Sequence, residues 1–125
     1  MLIQDTRAIV SGGASGLGLA AAELVVAAGG KVALFDVNDQ AGVDAVRKLG
    51  PAASFHKVDV TAESAVAAAV AAAITAMGGL NLAVSCAGVG WPKRMIGKEG
   101  TLPGEFFRKV IEINLDTITE PLLAC

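Results

Sequence analysis

Three glycines and one carboxylate raise the first chemical question in this chain. The stretch "SGGASGLGLA", residues 11–20, follows the apolar "AIV" and spaces its glycines as Gly12-x-x-x-Gly16-x-Gly18. Side chains this small let backbone N–H groups close on a bound group, and a phosphate suits such donors at a helix N-terminus. Gly12 turns the chain off a strand, Gly16 allows close approach of a pyrophosphate, and Gly18 lets helix and strand pack together. A tight turn whose small residues serve packing alone is the competing reading. Asp36, at the end of the next apolar run, adds a second group: a carboxylate there accepts from the hydroxyls of an adenosine ribose and repels a 2′-phosphate. Neither "DVND" (36–39) nor the glycine turn contains arginine or lysine, which favours NAD over NADP. The alternative for Asp36 is a cap on the following turn.

These residues need elements to hold them, and the pattern supplies an alternation of strands and helices. The first strand is "RAIV" (7–10), followed by the glycine turn and a helix from about Gly16 to Ala28 that "GG" at Gly29 and Gly30 closes. "KVALFDV" (31–37) is a second strand, a helix runs from about Gln40 to Leu49, and "ASFHKVDV" (53–60) is the third strand. Thr61 reads as the N-cap of an alanine-rich helix, and "LNLAVSCAG" (80–88) as the fourth strand. "VGWPKRMIGKEGTLP" is a long loop of the kind that is functional or mobile. A final helix begins near Pro103 or Gly104, with Phe107, Val110, Ile111, Asn114, Leu115, Ile118 and Leu122 on one stripe until Pro121 kinks or ends it. Four such units in series predict an α/β fold with a Rossmann-type, doubly wound parallel sheet and helices on both faces.

Composition narrows the possibilities. The 125 residues fit one domain, 1–125, and 54% hydrophobic against 18% charged residues suits strands buried on both faces. A net charge of −2 leaves no electrostatic footprint for nucleic acid or an anionic membrane. Cys86 and Cys125 lack metal-ligand spacing, no metal site is expected, and free thiols suit a reducing compartment. The N-terminus has no basic leader before an apolar segment, so an intracellular, cytoplasmic protein is expected. The uncharged run from Ala65 to Cys86 reads as a buried helix and strand that "GGLN" separates, rather than a membrane span.

With these elements placed, the chain resembles the N-terminal half of a short-chain dehydrogenase/reductase. Four segments carry the resemblance: "SGGASGLG", "DV" at Asp59 and Val60, "CAG" at Cys86 to Gly88, and "IEINL" around Asn114. Together with "FDVN", "VDVT" and "SCAGV", they look most like the 3-hydroxyacyl-CoA dehydrogenase type 2 branch. The resemblance implies NAD as cofactor, with Ser15 and Leu17 touching it from the turn and Asp36 on the adenosine ribose. Asp59 and Val60 flank the adenine, and Cys86, Ala87 and Gly88 line the nicotinamide side. Asn114 is then the catalytic asparagine that holds a water in a proton relay; the competing reading is a polar residue bonding across the sheet. It also implies a small alcohol, ketone or acyl-CoA substrate and a homo-oligomer for the full-length protein. Two positions depart from the pattern: Ser11 stands for a threonine, and Ser85 for an asparagine whose lost amide loosens a tie to the first strand.

The larger departure is chemical. The family takes the alcohol proton with a Tyr-x-x-x-Lys pair and orients the substrate with a serine, yet this sequence contains no tyrosine. The chain therefore reads as the cofactor half of the fold, a fragment without the C-terminal half and inactive alone, its fourth strand left as an apolar edge. His56 sits within the third strand and reads as a tolerated strand histidine rather than a base. Lys93, Arg94 and Lys98 could meet the phosphates of a CoA substrate or simply be solvated, and Trp91 could cover substrate or pack the loop. Two other classes compete with a dehydrogenase. A non-catalytic NAD-binding module fits the literal chain, whereas a methyltransferase would have an acid before the first glycine, where Val10 and Ser11 stand.

Overall fold

The computed structural model describes residues 1–88, 96–97, 100–101 and 103–116. Four parallel strands, β1 (Arg7–Ser11), β2 (Lys31–Asp36), β3 (Ala53–Lys57) and β4 (Leu82–Ser85), form one sheet in the order β3-β2-β1-β4. Helices α1 (Gly16–Ala27), α2 (Asp39–Leu49) and α3 (Glu63–Met77) connect them. Strand alternation divides the core between the two faces. Ile9, Ala33 and Phe35 point to one side and pack with Val66, Val70, Ala73 and Met77 of α3. Ala8, Val10, Val32 and Leu34 point to the other and meet Ala22 and Val25 of α1 and Ala45 of α2. The central strands are thus apolar on both faces, and Ile9, Leu34 and Phe35 are fully buried. Each such side chain contributes about 1.5–3 kcal/mol relative to exposure. This is the doubly wound parallel sheet that the alternation predicted.

Several boundaries differ from expectation, each for a local reason. β3 ends at Lys57, not Val60, because the Asp59 carboxylate turns back: Oδ1 accepts from the Thr61 N–H at 3.0 Å and from its hydroxyl at 2.7 Å. The same bonds overturn Thr61 as helix cap. Ala62 occupies the N-cap of α3 without a side-chain bond, since the threonine hydroxyl is already given to the carboxylate. β4 starts later than predicted because Asn81 is spent on the start of β1. Its Oδ1 accepts from Arg7 N at 2.7 Å and its Nδ2 donates to Asp5 O at 2.9 Å. The uncharged run from Ala65 resolves into most of α3 and then β4, and no helix among the described residues is long and apolar enough to cross a membrane.

The segment expected to be a loop carries a short antiparallel ladder, β5 (Ile96–Gly97) with β6 (Gly100–Thr101). The final helix α4 spans Gly104–Ile111 and widens into a π turn over Glu112–Asp116. The covered face of this helix differs from the predicted stripe. Phe106, Val110, Ile113 and Asn114 are half-buried, whereas Phe107 and Ile111 are exposed, so the covered face keeps three-and-four spacing but includes Phe106 in place of Phe107 and leaves Ile111 out. Trp91, Lys93, Arg94, Lys98, Ile118, Pro121, Leu122 and Cys125 lie outside the described residues, as does the side chain of Leu115.

Candidate functional site

The glycine turn is built against the end of β2. The N–H groups of Gly12 and Gly13 both donate to the Phe35 carbonyl, at 2.8 and 3.3 Å, and Ala14 N–H donates to Asp36 Oδ2 at 3.1 Å. Gly12 adopts φ +65°, and a Cβ there would lie 2.7 Å from Ala87 N and 2.8 Å from the Cys86 carbonyl oxygen. Glycine alone lets β1 turn this close to the end of β4. Gly16, at φ +56°, has nothing within 4 Å of where a Cβ would stand, so its open side faces the cleft. Gly18 is the opposite case: a Cβ would collide with the Gly12 carbonyl oxygen, so helix and turn are in direct backbone contact. Ser15 is extended at the N-cap of α1 and its side chain makes no capping bond. The first-turn N–H groups of α1 consequently present a bare positive helix end.

A cleft of about 420 Å³ opens in front of this helix end. Gly12, Ser15, Gly16, Leu17 and Gly18 line it from the turn, Asp36 from β2, Asp59 and Val60 from the segment after β3, and Cys86, Ala87 and Gly88 from the segment after β4. All the residues singled out for cofactor contact thus face one space. Phe35, Val37, Val58 and Ile113 complete the walls and were not anticipated. The first three adjoin Asp36 or Asp59, so neighbouring position was their available signal. Ile113, in the π turn after α4, adjoins Asn114 in the same way. Asn114 stands beside the lining, with Oδ1 3.1 Å from where a Cβ on Gly88 would be.

The carboxylates differ in surroundings. Both Asp36 oxygens accept backbone bonds, Oδ2 from Ala14 and Oδ1 from Asn38 at 3.1 Å, leaving lone pairs on each. The two hydrogen bonds from Thr61 hold the Asp59 carboxyl below its ordinary range, against a small opposing effect of burial, and the Lys109 charge adds to them. Lys109, Arg108 and Glu105 of α4 and Glu112 of the π turn surround an adjoining hollow of about 410 Å³ that shares Asp59 and Ile113 with the cleft. Ser11, fully buried, pairs its hydroxyl with Ser85 Oγ and accepts from Ala87 N, both at a long 3.4 Å. A hydroxyl contact therefore stands where the missing asparagine amide was expected to loosen the tie.

His56 does not line the cleft. Its ring meets Phe35 edge-on at 5.5 Å, Nε2 lies 3.3 Å from Ser54 Oγ, and burial lowers its pKa, favouring the neutral ring. No three His, Cys, Asp or Glu among the described residues are placed to hold a metal ion.

The cleft lies at the carboxyl ends of the strands, where chain order reverses between β1 and β4, the switch point at which doubly wound folds bind nucleotides. Within that class, the chain belongs to the short-chain dehydrogenase family, whose model matches residues 6–122. It is 38% identical over 115 residues to 3-hydroxyacyl-CoA dehydrogenase type-2 of Bos taurus, covering 90% of this chain and 44% of that protein. It is 40% identical over 109 residues to momilactone A synthase of Oryza sativa subsp. japonica, covering 86% of this chain and 39% of that protein. To 3-beta-hydroxysteroid dehydrogenase of Comamonas testosteroni it is 35% identical over 116 residues, covering 93% of this chain and 44% of that protein. The chain thus spans less than half the length of these relatives.

Proposed function

We propose that this chain is the cofactor-binding part of an NAD-dependent dehydrogenase that moves hydride between an alcohol and NAD. The observation that carries the reading is the uncapped N-terminus of α1, opening with Gly16 and Gly18 onto the cleft that also contains the Asp36 carboxylate. Backbone donors and the helix dipole suit a pyrophosphate, and the remaining Asp36 lone pairs suit a ribose diol. Asp59 and Val60 would flank adenine, with Asp59 held ionised by Thr61. Cys86, Ala87 and Gly88 would border the nicotinamide, the group that accepts or gives the hydride. Asn114, packed behind Gly88, would be the asparagine that holds a water in the proton relay.

The names of the relatives favour a secondary alcohol on an acyl-CoA or steroid skeleton as substrate. A cytoplasmic homo-oligomer is the accompanying proposal for the whole protein. A second reading is an NAD-binding module without turnover, in which the same cleft holds the cofactor but no hydride moves. Calorimetric titration with NAD and NADP tests the cofactor assignment. NAD is expected to bind at least about tenfold more tightly, since Asp36 faces a 2′-phosphate with like charge. Equal affinity for the two, or no binding of either, would overturn it. Hydride transfer from 3-hydroxybutyryl-CoA by this chain would reject the non-catalytic module, whereas no turnover is the outcome that both readings expect of this chain alone.

A further inference from the structure

We propose that Asp36 is a positioning residue for the glycine turn, so that one carboxylate both shapes the phosphate cradle and stands ready for the ribose. Three successive N–H groups of the turn converge on the end of β2. Gly12 and Gly13 reach the Phe35 carbonyl, and Ala14 reaches Asp36 Oδ2 at 3.1 Å. Only the last of these bonds depends on a side chain. Ala14 is 5% exposed, which leaves its N–H little access to water if the carboxylate is removed. The carboxylate is itself fixed from the other side, since Oδ1 accepts from Asn38 N–H, and Asn38 in turn caps α2 by accepting from Ala41 N–H. A chain of bonds therefore runs from the N-terminus of α2 through Asp36 to the residue just before Ser15 and Gly16, where α1 opens.

This goes beyond the cofactor assignment, because the bonds exist without a ligand. It has a consequence for that assignment and there rests on the NAD reading. Removing the carboxylate to admit a 2′-phosphate also releases Ala14, so Asp36→Ala is expected to bind neither NAD nor NADP as tightly as the native chain binds NAD. Specificity and turn geometry are tied to one side chain.

The test compares native chain, Asp36→Asn and Asp36→Ala. Both variants lose the charge and the paired carboxylate oxygens, but asparagine retains one acceptor for Ala14. Amide hydrogen exchange is read over residues 12–18 without ligand, with α3 as the internal reference for global unfolding. Exchange at Ala14 is expected to rise about tenfold or more in Asp36→Ala and to stay within about twofold of native in Asp36→Asn, with α3 unchanged. In parallel, inorganic pyrophosphate, which has no ribose, is titrated by phosphorus NMR. It is expected to bind several-fold more weakly to Asp36→Ala than to Asp36→Asn. Equal exchange at Ala14 in the two variants would overturn the role of Asp36. If no form binds pyrophosphate, the phosphate-cradle reading fails, while the exchange comparison still decides whether Asp36 holds the turn.

Discussion

Gly18 has space for a hydrogen and nothing more, because a Cβ there would run into the Gly12 carbonyl oxygen and lie 2.8 Å from its carbon. Glycine-to-alanine in a helix ordinarily gains about 1 kcal/mol. Here the obstacle is backbone, which cannot rotate aside, so overpacking outweighs propensity and Gly18→Ala is expected to cost about 1–3 kcal/mol. Urea unfolding checks this, and a midpoint at or above native would mean that the turn yields without strain. The jobs of Gly12, Gly16 and Gly18 were legible from spacing because each follows from where a strand must become a helix. Gly13 was not: its missing Cβ leaves room for the Val10 carbonyl at 2.8 Å and for Leu34 Cδ2 at 2.9 Å, and Leu34 belongs to another strand.

Elements were legible where hydrophobic period and glycine signals agreed, as in β1, α1 and β2. They were misread where a side chain had a better partner elsewhere. Thr61 satisfies every local criterion for a cap, yet Asp59 lies two residues away and takes its hydroxyl. Asn81 looked like part of β4, yet it clamps β1 through the Arg7 N–H and the Asp5 carbonyl. Asn81→Ala removes both bonds at an exposed site, and a loss of about 1 kcal/mol is expected, with β4 fraying from its start. Thermal melts measure the cost, and hydrogen exchange at residues 82–85 locates it. Unchanged exchange there would mean that the β1 ladder alone holds β4.

Across the whole molecule, stability is expected to fall on acidification in two steps. Burial lowers the pKa of His56, so as pH drops below the ordinary histidine value of about 6.5 the unfolded chain takes up a proton that the folded chain resists. The loss levels off once pH passes the folded value. Asp59 acts in the same direction at lower pH: its depressed pKa contributes stability above the ordinary carboxylate range, which is lost as pH falls through the folded value. Urea midpoints from pH 7.5 to 4.5 should therefore show an upper step that His56→Gln removes, and parallel curves for the two proteins would contradict it. The sequence by itself determined the order of the elements, the two-sided burial of the central strands and the residues that meet at the strand ends, because periodicity and turn chemistry act over a few neighbours. Only the tertiary structure decided that Asp36 grips Ala14, that Ile113 lines the cleft and that Asn114 backs Gly88. Those contacts join residues on separate elements, and their geometry exists only after the sheet and α4 have packed.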